Sequence, residues 1–188
     1  GEGADLADAL DDWSNAHTCR WAMGMAQMFR ADLDGAIDTF RRVCQDCESD
    51  NDVVGMMLCL VSQGCTLVYR GDVDAARSVG RKAVTTAAEL DDMLERTAET
   101  VLAVAAVGAG DVAAARRLGA KVWELPAVQR GTVAVTAVAL CAHLDGDLAR
   151  AQELADEAVA TMAGWHRLFA LSIRANIAAD RGDHEQAR

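Results

Sequence analysis

Proline occurs once in the 188 residues, and aromatic side chains make up only 4%. With helix breakers almost absent and Ala and Val abundant, the composition reads as helical. Positive charge is also scarce: 18 Lys and Arg stand against 29 Asp and Glu, a net charge of −11. No basic cluster appears, which argues against direct nucleic-acid contact, since phosphate neutralisation needs a basic face. No apolar run reaches the roughly 18 residues that a bilayer span requires; "VLAVAAVGAG" from Val101 is too short and too rich in Ala, so no membrane partner is expected. The six cysteines are irregularly spaced and follow no signal peptide. That usage predicts a reducing, cytoplasmic setting rather than a disulfide framework. Nucleophile and nucleotide motifs are missing too: there is no GxSxG, HExxH or P-loop lysine pattern. None of His17, His143, His166 and His184 sits in a recognised catalytic sequence. The expectation is a non-catalytic segment with no cofactor.

What is present is a repeat. A small residue followed by Asp recurs at Ala31-Asp32, Gly71-Asp72, Gly110-Asp111, Gly146-Asp147 and Gly182-Asp183. The spacing is 36 to 40 residues (71−31, 110−71, 146−110, 182−146). Five residues after each anchor stands Ala36, Ala76, Ala115, Ala151 or Ala187. Seven before it stands Gly24, Gly64, Ala103, Ala139 or Ala175. Small residues at matching places on two antiparallel helices let the backbones approach closely. The anchor stops one helix in a left-handed conformation, and the Asp caps the next by accepting its unpaired amides. A period of this length predicts stacked helical hairpins. They fall at about 16–48, 52–90, 91–124 and 127–162, with a fifth beginning near Gly164. "ESDND" from Glu48 and "LPAVQRG" from Leu125 read as loops between hairpins. The last copy is cut short at Arg188, so the chain reads as one repeat domain over 1–188 within a longer protein.

These small-residue positions and the Gly-Asp turn resemble the tetratricopeptide repeat family over nearly the whole chain. The period exceeds the family's usual value of about 34. The bulky residue before the turn is reduced to Gln27, Ala106, Ala142 and Ala178, with only Leu67 large and apolar, and Pro126 stands alone and one place off. Such divergent repeats resemble those of large ATP-binding LuxR-type regulators related to the maltose activator. The resemblance implies an all-α right-handed superhelix of about four and a half TPR-like antiparallel hairpins. It also implies a sensor or interaction module whose ATPase and DNA-binding functions lie in other segments.

In such arrays the first helix of each hairpin lines the concave face. Counting from the anchors places Trp21, Met25, Met28 and Phe29 there from hairpin one, and Leu58, Val61, Cys65, Val68 and Tyr69 from hairpin two. Thr97, Thr100, Val104 and Val107 follow from hairpin three, and Val133, Thr136, Leu140 and His143 from hairpin four. Phe169, Ser172 and Asn176 complete the set. The lining carries none of the Lys and Arg that clamp a peptide carboxylate. An open apolar groove would accept a protein helix or an apolar small-molecule effector. A tightly closed superhelix would make the same residues ordinary core. A general protein scaffold is the rival interaction reading, and homo-oligomerisation stays open.

A second constellation joins His17 and Cys19 to the "CQDC" of Cys44 and Cys47. Cys19 and Cys44 are equidistant from the turn near residues 31 and 32, so an antiparallel hairpin should bring them together. Three thiols and an imidazole suit zinc, which makes a thiol or zinc sensor an alternative; plain packing of small buried thiols is the competing reading. His166 reads as a surface or capping residue. Asp91, Asp92 and Glu95 suit the first turn of a helix, where the dipole favours them. Arg41, Arg42, Arg77, Arg81, Lys82, Arg116, Arg117 and Lys121 fall on second helices as a solvated face.

Overall fold

The computed structural model describes residues 2–88, 90, 92–124, 132–161, 164–183 and 185. The side chains of 92, 93, 132–134, 164–166, 168 and 169 are also outside the description, which removes the expectations made for Val133, His166 and Phe169. Asp91, Pro126, His184 and Ala187 likewise lie outside the described residues.

The fold is all-α, and no strand occurs among the described residues. The helices are α1 (Glu2–Ala9), α2 (Trp13–Phe29), α3 (Leu33–Ser49), α4 (Val53–Arg70), α5 (Val73–Ala88), α6 (Asp92–Gly108), α7 (Val112–Trp123), α8 (Thr132–Leu144), α9 (Leu148–Thr161) and α10 (Gly164–Asp180). They form two compact units, residues 1–101 and 102–188, with the division inside α6.

One bend joins most of these helices. Its first residue has positive φ and its second is Asp. The predicted anchors Ala31, Gly71, Gly110, Gly146 and Gly182 all have it, at φ 62°, 94°, 68°, 83° and 76°. Two further copies stand at Asp11 (φ 54°), in residues 4–13 that read as the tail of an earlier helix, and at Asn51 (φ 55°), in the expected "ESDND" loop. In each copy the Asp amide reaches back five residues to a carbonyl: Asp12 to Ala7, Asp32 to Gln27, Asp52 to Cys47, Asp72 to Leu67, Asp111 to Ala106, Asp147 to Ala142 and Asp183 to Ala178. This is the six-to-one bond of a Schellman stop. The Asp carboxylate then starts the next helix. It accepts the amide of Asn15, Gly35, Gly55, Ala114 or Arg150. In the first unit the Asp residues of the bends stand at 12, 32, 52 and 72, one every 20 residues, so hairpin turns and inter-hairpin turns share one backbone bend there.

Within the first unit α1 through α5 each pack on their sequence neighbours, and α2 also meets α4. In the second, α7 packs on α8, α8 on α9 and α9 on α10, and α8 also meets α10. Contact between the first helices of successive hairpins fits a repeat stack. The recurring small residues explain the closeness. Ala36, Ala76, Ala115 and Ala151 are fully buried. A Cβ on Gly24 would come within 2.6 Å of the Phe40 ring, and one on Gly64 would collide with Val101. One core centres on Val43, Cys47, Met57, Cys59, Leu60 and Ala83. The second unit's core centres on Ala139, Leu154, Ala155, Ile173 and Ile177.

One expectation needs correction. Val53–Arg70 is long and apolar enough to cross a bilayer by length and composition, although no such run was expected. The polar Ser62, Gln63 and Thr66 did not lower its apolar character enough to exclude it. In the structure α4 is a packed helix in which those three residues are buried, with α3 and α5 against it.

Candidate functional site

The densest cluster of chemically capable side chains lies where α2 passes the α3–α4 bend. The bend places Asp50 and Asp52 either side of Asn51, whose positive φ turns the chain. Cys47 is one turn back on α3, and His17 projects from the first turns of α2. His17 is 3% exposed. Its Nδ1 lies 3.0 Å from Asp52 Oδ2, and its Nε2 lies 3.1 Å from Asp50 Oδ2. Cys47 Sγ donates to the same Asp52 Oδ2 at 3.8 Å. The other Asp52 oxygen, Oδ1, accepts the Gly55 amide at 2.9 Å and so caps α4. One carboxylate therefore divides its work: one oxygen starts a helix and the other faces an imidazole and a thiol.

The charge balance follows from these contacts. Burial penalises the Asp52 carboxylate, but the Gly55 amide and His17 outweigh it and hold its pKa below the ordinary value. Burial, then the negative charge of Asp52, pushes the Cys47 thiol up to about 12. Cys59, beside it, is raised by burial and by its Cys47 and Cys44 neighbours. Burial raises Cys44 as well. Uncharged thiols of this kind are poor nucleophiles. A cavity of about 80 Å³ adjoins the cluster, lined by His17, Trp21, Val43, Cys47, Asp52 and Leu58 among others. The Trp21 indole spans from it to α4, donating to Ser62 Oγ at 2.9 Å.

The structure thus brings together two of the four residues singled out for metal, His17 and Cys47, and adds Asp52. Their ligand atoms all lie within 4.8 Å of one another. Cys19 lies half-buried against α1, where a Cβ on Gly3 would stand 3.2 Å from its Sγ. Cys44 is buried in the core with Met57 and Ala83. Neither joins a metal-ligand cluster among the described residues. Asp50 and Asp52 were passed over because "ESDND" reads as a loop. The available signal was Asp52 itself, midway between Asp32 and Asp72.

The residues expected to line a groove divide by burial. Met28, Cys65 and Val104 are buried. Thr66 Oγ1 lies 3.1 Å from Met28 Sδ. Trp21, Met25, Val61, Leu140 and His143 are half-buried. Phe29 and Tyr69 remain about 40% exposed, with Leu58 beside them in that class. His143 Nε2 pairs with Asp180 at 2.6 Å, tying α8 to α10. A second, open cavity of about 240 Å³ lies in the second unit between Arg116, Trp123, Cys141, Asp145 and Arg150. There the Arg150 guanidinium stacks 4.8 Å from the Trp123 ring centre, and Arg116 pairs with Asp145.

Comparison with known proteins adds context. No family model matches the chain. All of it aligns, at 32% identity over 189 residues, with a Mycobacterium bovis protein provisionally named an HTH-type transcriptional regulator. It is similar in the same degree to two Mycobacterium tuberculosis proteins of that name. The chain spans only 21% of the length of these relatives. It resembles one stretch of a much longer regulator.

Proposed function

We infer that the chain is a non-catalytic interaction segment of a larger HTH-type bacterial transcriptional regulator, TPR-like in its hairpins and of the LuxR type. The observation that carries this is the full-length alignment with one-fifth of such regulators, on a fold built of repeated antiparallel helix pairs. DNA binding and any nucleotide hydrolysis then belong to other segments, in keeping with the net charge of −11.

The binding face is carried by α2 and α4 in the first unit. Phe29 and Tyr69 occupy equivalent places, each two residues before a positive-φ anchor, on α2 and α4, which meet. Both are partly exposed, and burial at the hydroxyl end raises the Tyr69 phenol, so the face offers part of two aromatic rings with an adaptable methionine, Met25, nearby in sequence. An amphipathic partner helix is the occupant such a surface suits best, with an apolar small-molecule effector as the alternative. Thermal-shift titration of the chain against amphipathic helical peptides and apolar small molecules tests this. A stabilising ligand should lose about tenfold in affinity, roughly 1.4 kcal/mol, on Phe29→Ala/Tyr69→Ala. Ligands that stabilise both proteins equally, or none that stabilises either, would refute the assignment.

A further inference from the structure

We propose that His17, Cys47 and Asp52 form a binding site for a divalent zinc-type cation, with Asp50 orienting the histidine. The idea is independent of the interaction function above and stands on the geometry of the α3–α4 bend. A neutral imidazole has one N–H donor and one lone pair. Here each ring nitrogen faces a carboxylate oxygen, at 3.0 and 3.1 Å. Without an ion, Nδ1 and the Cys47 thiol both hydrogen-bond to Asp52 Oδ2, so three ligand atoms converge on one point. A cation between these three atoms would replace the protons they share, with Nε2–H donating to Asp50.

The spacing suits it. Around a tetrahedral zinc, with bonds of about 2.0–2.1 Å to N and O and about 2.3 Å to S, ligand atoms stand about 3.3–3.6 Å apart. The distances of 3.0 Å from Nδ1 to Oδ2 and 3.8 Å from Sγ to Oδ2 bracket that range. The surrounding contacts are also those of a metal centre. A ligating histidine typically donates its second N–H to a carboxylate, which is the part Asp50 plays. Asp52 Oδ1 is already fixed by the Gly55 amide, leaving Oδ2 as the ligand. The three residues are drawn from α2, the end of α3 and the bend into α4, so the bound ion would pin hairpin one to the start of hairpin two. Binding releases to solvent the Cys47 S–H proton and any proton on His17 Nδ1, forms metal–sulfur and metal–nitrogen bonds, and moves no electron. A thiolate and a carboxylate then neutralise the two positive charges, and water takes the fourth position, beside the small cavity.

The test is Co(II) and Zn(II) titration of the 188-residue chain under a phosphine reductant. One metal per chain is expected, with a thiolate-to-cobalt charge-transfer band. Cys47→Ser should abolish the band and weaken binding at least 100-fold. Asp50→Asn should weaken it about tenfold, and Cys19→Ala and Cys44→Ala should leave it unchanged. X-ray absorption on the zinc-loaded native chain reads the ligand set even if Cys47→Ser fails to fold: one sulfur with nitrogen and oxygen neighbours supports the site. No metal on the folded chain, a band that survives Cys47→Ser, or a shell with no sulfur or several, would overturn it.

Discussion

Gly24 has no room for a side chain. A methyl there would stand 2.6 Å from Phe40 Cε1, and Phe40 is wholly buried. Two effects oppose each other on Gly24→Ala. Alanine is the better helix former by about 1 kcal/mol, while overpacking a closed core costs about 1–3 kcal/mol. Because the ring cannot swing into solvent, overpacking should win. Gly24→Ala is expected to lower unfolding stability by about 1 kcal/mol in urea titration, and in a Phe40→Leu background it should become neutral or stabilising. A destabilisation that persists with Phe40→Leu would mean the glycine serves something other than this contact. At this scale the sequence was readable for small residues, because a recurring Gly or Ala marks a place where backbones meet. It was less readable for His17 and Asp52. Their partnership across 35 positions depends on where α2 passes a bend that composition presents as an acidic loop.

At the scale of the helix, a left-handed residue and an aspartate end one element and start the next. The caps are not equal in consequence. Among the described residues the Asp111 carboxylate accepts the Ala114 amide alone, so Asp111→Ala should cost about 1 kcal/mol. Asp52 caps α4 and also holds His17; its replacement by Ala should cost about 3 kcal/mol, the cap plus a charge-assisted hydrogen bond. The sign with pH follows from its lowered pKa. The stabilisation is complete above the unfolded value near 3.9 and is lost as pH falls through the folded value. The gap between wild type and Asp52→Ala in denaturant midpoint should therefore be constant around neutrality and shrink in acid. An equal cost for the two variants at pH 7 would sever the capping role from the imidazole contact. The five bends with Ala or Gly at their head were legible in advance. Those headed by Asp11 and Asn51 were not, because a left-handed Asp or Asn looks like any polar loop residue, whereas Gly announces the conformation.

Over the whole molecule, stability should be spread among neighbour contacts. Ile37 and Ile177 are both buried and lie in different compact units. Ile37→Val and Ile177→Val should each cost about 1 kcal/mol. In the double variant the losses should add to within about 0.5 kcal/mol. A double-variant loss differing from the sum by more than that would show the two units sharing one cooperative core. Helix content, the hairpin period and the place of five turns were determined by sequence alone. They follow from local rules: an Ala-rich chain almost free of proline, the glycine that tolerates left-handed φ and the aspartate that caps. Tertiary structure alone decided which thiols sit in the core, that Phe29 and Tyr69 stay exposed while Met28 and Cys65 do not, and that His17 lies between Asp50 and Asp52. Those outcomes depend on how one helix is rotated against another, a choice made by the packing of many side chains at once and written in no single stretch of the chain.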